Sequence, residues 1–142
     1  EGEIILKKYS PMMELTTFAV QYAEAMAQST GLLVCITDRD QVIAVAGGAK
    51  KDLLQRNISR QLEQAINERN TVMAGRDDKA FIQLVDEDLE GVSAQVVAPI
   101  ICEGDAIGAV ALMSREPRAK FGDMETKLAL TAAGFLGRQM EG

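Results

Sequence analysis

The stretch VSAQVVAPIICEGDAIGAVALMS, residues 92–114, decides the fold predicted for this chain. It holds two apolar runs, 92–102 and 106–114, that are rich in valine, isoleucine and alanine and are separated by the polar segment EGDA. Gly104 and Asp105 are typical of a tight two-residue turn, so we expect the two runs to pair as an antiparallel hairpin.

A second hairpin is predicted nearer the N-terminus. Residues 32–37 and 41–46 are apolar or β-branched, and the polar sequence Asp38-Arg39-Asp40 separates them. Two aspartates at this spacing could hold a cation, but the sequence offers no third acidic group close by. A solvated turn between two strands is therefore the favoured interpretation.

Helical periodicity surrounds these hairpins. Apolar residues recur at steps of three and four over 12–28, Ser59 is suited to cap a helix that ends near 69–70, and a long helix is predicted over 122–140. Residues 80–85 have the composition of a further strand, 70–80 are polar and mixed, and Asp86, Glu87, Asp88 and Glu90 predict an acidic loop. This order predicts an α+β fold with a central antiparallel sheet flanked by helices, as in PAS and GAF sensor modules.

Composition excludes several functions. The 142 residues fit one domain, and their net charge of −6 gives no electrostatic attraction to nucleic acid. The chain has no histidine, which removes the usual ligand of haem and many metals and the general base of most catalytic triads. We expect no metal, no cofactor and no catalytic residue. Apolar runs too short to cross a bilayer, and the lack of a signal-peptide pattern, predict a cytoplasmic protein that does not contact membranes.

The last predicted helix has two apolar sides. Met124, Leu128, Thr131 and Phe135 form one side, and Leu130, Ala133, Gly137 and Met140 form another. A helix can bury only one side against its own sheet, so the second side is a candidate for contact with another subunit. The alternative is that both sides pack inside one domain against the first helix. The candidate dimer-interface residues are Leu15, Phe18, Tyr22, Leu130, Ala133, Gly137 and Met140.

The segment after the second strand is a candidate ligand site. Gly47 and Gly48 would let the backbone approach a ligand closely, and Lys50 and Lys51 beside a helix start would favour a phosphate or carboxylate. The alternative is a strand-to-helix junction with solvated lysines. Candidate pocket walls are Val34, Ile36, Val97 and Pro99, and filling of the pocket by Phe81 and Met73 is the other possibility.

Three further stretches carry a family resemblance. GEIILKKYSP, residues 2–11, resembles the last strand and linker of an AbrB-type DNA-binding domain. DRDQVIAVAGGAKKD (38–52), APIICEGDAIGAV (98–110) and TAAGFLGRQME (131–141) resemble the C-terminal GAF domain of the stage V sporulation protein T family, which belongs to the AbrB regulators. The resemblance divides the chain into residues 1–10, a remnant of the DNA-binding domain, and residues 11–142, the GAF domain.

The resemblance implies a regulatory domain of a bacterial transcription factor that acts in the forespore late in sporulation. Its GAF domains would pair through a bundle of the first and last helices, the full-length protein would be a tetramer, and DNA would be bound only by the missing N-terminal domain. A small-molecule effector is implied as a possibility, without an identity.

The alternative function is that of a GAF-type thiol enzyme such as a free methionine sulfoxide reductase. Buried strand cysteines, Cys35 and Cys102, suit that chemistry poorly, so we expect no enzyme activity.

Overall fold

The computed structural model describes residues 11–87 and 89–141. Along the chain the elements are α1 (Pro11–Thr30), β1 (Leu33–Thr37), β2 (Val42–Ala46), α2 (Lys50–Leu53), α3 (Arg60–Glu68), β3 (Val72–Gly75), β4 (Ala94–Cys102), β5 (Asp105–Ser114) and α4 (Asp123–Gln139). The five strands form one antiparallel sheet in the order β2-β1-β5-β4-β3. The predicted α+β class, the two hairpins and the two long helices are confirmed.

The sheet carries an apolar layer on each side. In β5 successive residues alternate, so that Val110 and Leu112 face α1 and α4 while Ala111 and Met113 face the opposite layer. The helix layer is closed by Leu136 of α4, which is fully buried like Leu112. Each such leucine contributes about 1.5–3 kcal/mol by leaving water. Two covered faces explain why β4 and β5 are apolar at nearly every position.

Proline in the middle of β4 is compatible with this sheet. Pro99 pairs with Ala109 of β5, whereas β3 pairs only with residues 94–97 on the other side of β4. On the β3 side, no residue within 11–87 and 89–141 pairs with β4 at Pro99, where a residue without an N–H group is tolerated.

The prediction of a strand over 80–85 is wrong. The sheet position beside β4 is taken by β3, which lies in the segment predicted to be polar and mixed. Residues 81–85, called the strap here, instead cross the face of the sheet opposite the helix pair, with a single bridge between Ile58 and Val85. The strap is apolar because Phe81, Leu84 and Val85 pack into that face, which produced the strand-like sequence pattern.

Two predicted turns differ in detail. The β4–β5 turn consists of Glu103 and Gly104, both with positive φ, so it lies one residue earlier than predicted. The turn after β1 is a tight one, but Asp38 is only 2% exposed instead of solvated. Its Oδ1 accepts the backbone N–H groups of Asp40 and Gln41 at 2.7 and 2.8 Å, so the carboxylate organises the turn from inside.

Candidate functional site

The outer side of the helix pair exposes a row of apolar residues. Met124, Leu128, Thr131 and Phe135 follow at steps of four, three and four and so share one side of α4. Phe135 is 41% exposed and its ring lies 5.0 Å from that of Tyr22, which joins this row to α1. We call Phe18, Tyr22, Met124, Leu128, Thr131 and Phe135 the helix-pair surface.

The predicted interface residues divide into two groups. Leu15, Ala133 and Gly137 are buried in the chain's own core, and a Cβ on Gly137 would overlap the carbonyl oxygen of Ile101 in β4. These three residues hold the helices on the sheet. Phe18, Tyr22 and Met140 are half-buried and Leu130 is 47% exposed, so they remain accessible to a partner.

The side of α4 predicted to face the sheet is the outer one. Ala129, Ala132, Ala133, Leu136 and Gly137 form the buried stripe, whereas the row beginning at Met124 points away from it. The first predicted side therefore faces away from the sheet, while the second is divided between the buried Ala133 and Gly137 and the accessible Leu130 and Met140. Alanine and glycine face the sheet because α4 lies close to β4, where larger side chains would not fit.

The glycine-lysine segment is a strand-to-helix junction. Gly47 has φ of 90°, and a Cβ there would overlap the carbonyl oxygen of Leu32, so close backbone packing accounts for this glycine. Gly48 has φ of 132°, and Lys50 and Lys51 begin α2 with both side chains exposed. None of these four residues lines the cleft or the small cavity described next. Their role in ligand binding stays a prediction.

An open cleft of about 350 Å³ lies on the sheet face opposite the helix pair. Three separate segments line it, and we call it the arginine cleft: Asp52, Leu53, Arg56, Val85, Glu87, Leu89, Glu90 and Arg115. Arg56 and Glu87 form an ion pair of 2.5 Å across it, and both side chains are largely exposed. Sequence reasoning missed this site because its residues come from distant segments with no shared motif.

A much smaller cavity, of about 20 Å³, lies beneath the strap and shares four lining residues with the arginine cleft: Leu53, Val85, Glu87 and Leu89. It has room for about one water molecule. Phe81 lines it, as the prediction of an apolar filling requires, whereas Met73 is 45% exposed and accepts a hydrogen bond from Thr126. Among the predicted walls, Val97 faces this layer, but Val34 and Ile36 face the helix pair.

Side chains hold the strap in place. The buried Gln95 accepts the backbone N–H of Ile82 on its Oε1 at 2.8 Å and donates from its Nε2 to the Ile82 carbonyl at 2.9 Å. Ser59 donates its hydroxyl to the carbonyl of Gln83 at 2.6 Å and, as predicted, caps α3 by accepting the N–H of Leu62. These bonds satisfy the strap's backbone without a neighbouring strand.

Cys35 is fully buried, whereas Cys102 is only half-buried, so the expectation of two buried cysteines is wrong for Cys102. Burial raises the pKa of the Cys35 thiol to about 12, so it carries no thiolate at neutral pH. Burial raises the pKa of Cys102 as well, with further contributions from Glu103, Glu141 and Asp105. Cys35 and Val97 both pair with Ala111, so Cys35 lies at the level of Val97 in the sheet. Cys102 is five residues further along β4, which places it about 16 Å away in the strand direction. A disulfide requires Cα atoms within about 7 Å.

The described residues contain neither a metal-binding cluster nor a membrane-spanning helix. Across 11–87 and 89–141, no group of three or more Cys, Asp or Glu side chains is arranged to hold a metal ion. The helices in these ranges also include none with the length and hydropathy needed to cross a bilayer.

Similarity to known proteins agrees with the fold. The family model described as stage V sporulation protein T C-terminal, transcription factor, matches residues 14–141. Stage V sporulation protein T of Bacillus subtilis (strain 168) is 46% identical over 141 residues, which cover 99% of this chain and 77% of the relative.

Solved structures with the same fold share little sequence with the chain. Part of a methyl-accepting chemotaxis protein superposes with a TM-score of 0.71 at 18% identity, covering 89% of this chain and 88% of that one. The cofactor-binding GAF domain of the nutrient sensor CodY from Clostridium difficile gives 0.62 at 15%, covering 95% and 96%. Free methionine-R-sulfoxide reductase from Neisseria meningitidis gives 0.67 at 17%, covering 89% and 77%, so the predicted alternative is related in fold alone. The GAF fold is confirmed, and the chain belongs to the stage V sporulation protein T family of transcription factors, as a homologue of its C-terminal regulatory domain.

Proposed function

We propose that this chain is the regulatory domain through which two copies of a sporulation transcription factor pair, by contact between their helix-pair surfaces. In this proposal residues 11–142 form the GAF domain, and residues 1–10 belong to an AbrB-like DNA-binding domain. The protein acts in the cytoplasm of the forespore. Pairing fixes the distance between two DNA-binding domains, and a small-molecule effector adjusts it.

The exposed aromatic row carries the proposal. Phe135, Leu128 and Tyr22 are apolar groups that gain by leaving water, and two aromatic rings in contact form a rigid centre of the kind that dominates protein interfaces. α1 and α4 also lie side by side, so a second copy related by a two-fold axis would complete a four-helix arrangement.

DNA binding is assigned to the N-terminal domain because this chain is acidic. Its net charge of −6 would repel the phosphate backbone of DNA. The matching family consists of transcription factors, but the match does not require that this domain itself contact DNA.

Thiol catalysis is not part of the proposal. A nucleophilic cysteine needs a lowered pKa and a resolving partner within reach, whereas burial raises the pKa of both thiols and the two cysteines are far apart. The transcription-factor homologue also favours a protein without enzyme activity.

The proposal is tested by mapping which surface faces a second copy. In a Cys102→Ser background, Thr131→Cys places a thiol on the helix-pair surface, and Glu63→Cys places one on exposed α3 beyond the other sheet face. Treatment with a short bismaleimide should give covalent dimers of the Thr131→Cys variant and leave the Glu63→Cys variant monomeric on a denaturing gel.

A third variant decides between the two sides of α4. Leu130→Cys tests the side predicted from sequence, which carries Leu130 and Met140. Dimers from Leu130→Cys without dimers from Thr131→Cys would move the interface to that side. Dimers from Glu63→Cys alone would overturn pairing through the helices.

A further inference from the structure

The arginine cleft combines charges of both signs. Arg56 is engaged by Glu87, while Arg115 has no hydrogen bond or ion pair within residues 11–87 and 89–141. Asp52 and Glu90 line the same cleft without an ion pair to any described residue. Among the described residues, the cleft therefore offers one guanidinium group and two carboxylates without an ion pair.

Three of the residues that line the cleft are apolar. Leu53 and Val85 line it but are almost fully buried, whereas Leu89 is half-buried and offers accessible apolar surface between the charged groups. A volume of about 350 Å³ is at the lower end of ligand pockets, which suits a molecule the size of a single amino acid. The cavity under the strap is too small to admit any part of such a ligand.

The ion pair across the cleft is no obstacle to a ligand. The Arg56 and Glu87 side chains are 46% and 76% exposed, and pairs in such surroundings contribute at most about 1 kcal/mol. A ligand carboxylate could take over the Arg56 guanidinium at little cost, which would add a second cationic contact to that of Arg115.

We propose that the arginine cleft binds a small zwitterion, an α-amino acid with an apolar side chain. Its carboxylate contacts Arg115, its ammonium group lies against Asp52 and Glu90, and its side chain covers Leu89. A purely anionic ligand would meet three carboxylates in the cleft and a purely cationic one would meet two guanidinium groups, so mixed charge is what the lining complements. An amino acid bound there would be the effector of the proposed regulatory domain. Its regulatory effect therefore rests on the proposed function.

Three probes with the same phenylethyl body test the charge requirement by isothermal titration calorimetry: L-phenylalanine, 3-phenylpropanoate and 2-phenylethylamine. L-phenylalanine should bind at least about tenfold more tightly than either analogue, because each analogue leaves one set of charges without a partner. Absence of L-phenylalanine binding, or equal binding of 3-phenylpropanoate, would overturn the proposal.

Matched substitutions locate the site. Arg115→Gln and Glu90→Gln should each weaken L-phenylalanine binding by about tenfold, whereas Arg60→Gln and Glu63→Gln, on exposed α3 outside the cleft, should leave it unchanged. The opposite result would be loss of L-phenylalanine binding in a Lys50→Gln/Lys51→Gln variant and unchanged binding in Arg115→Gln. It would place the ligand at the glycine-lysine segment and overturn this assignment. None of these changes lies on the helix-pair surface, so cross-linking through Thr131→Cys reports on the proposed pairing independently.

Discussion

At the scale of single residues, Gly134 and Gly137 lie less than one turn apart on α4 in opposite surroundings. A Cβ on Gly137 would overlap the carbonyl oxygen of Ile101, whereas a Cβ on Gly134 would meet nothing within 4 Å. Gly137 is therefore required by the close approach of α4 to β4. Gly134 only weakens the helix, because glycine loses more backbone entropy on folding than alanine does.

The pair predicts opposite effects of one substitution. Gly137→Ala should lower the free energy of unfolding by about 1–3 kcal/mol through overpacking against β4. Gly134→Ala should raise it by about 0.5–1 kcal/mol. Urea unfolding at one protein concentration measures both, and a neutral Gly137→Ala would show that α4 can shift away from the sheet without cost.

Features that depend only on neighbouring residues were predicted correctly from the sequence. The cap of α3 by Ser59 depends only on the next three residues, and the sequence contains them all. The burial of Asp38 depends on packing by parts of the chain far away in sequence, including Gly108, whose missing side chain makes room for the Thr37 carbonyl. A local pattern cannot contain that information.

At the scale of elements, the strap depends on two glutamines in different surroundings. Gln95 is 1% exposed and makes two hydrogen bonds to Ile82, whereas the exposed Gln61 accepts one bond, from the N–H of Gln83, at 3.0 Å. Loss of the buried amide leaves backbone groups of Ile82 without partners away from water. Loss of the exposed amide allows water to replace it.

We therefore expect Gln95→Leu to destabilise the protein by about 1–3 kcal/mol and Gln61→Leu by less than about 1 kcal/mol. Amide hydrogen exchange at Ile82 should accelerate by at least about tenfold in Gln95→Leu, because the strap opens locally. Equal exchange rates in the two variants would mean that apolar packing by Phe81 and Leu84, and not the Gln95 amide, retains the strap.

The strap also explains why one element was assigned wrongly from sequence. Alternating apolar residues predict a strand, but they do not reveal whether a sheet position is available. The short strand β3, Val72–Gly75, occupies that position with only four residues, too few to stand out from the polar segment around it.

At the scale of the whole molecule, composition and periodicity were enough to predict an α+β fold of the kind that PAS and GAF modules share, and a last helix with two apolar sides. The choice of GAF came from the family resemblance. Which side faces the sheet could not be predicted, because the small residues of the buried stripe and the large residues of the outer row are both apolar. The arginine cleft was also beyond prediction, since residues 52–56, 85–90 and 115 meet only after the strap has crossed the sheet.

The central claim is that two copies of this chain pair through the helix-pair surface, and sedimentation velocity of the unaltered chain beside Phe135→Glu tests it most directly. Phe135 is 41% exposed, so glutamate is tolerated by the fold but would bury a charge in the interface. We predict a dimer for the unaltered chain and a shift to monomer for Phe135→Glu, with unchanged circular dichroism. A monomeric unaltered chain, or a Phe135→Glu variant that dimerises equally well, would contradict the account.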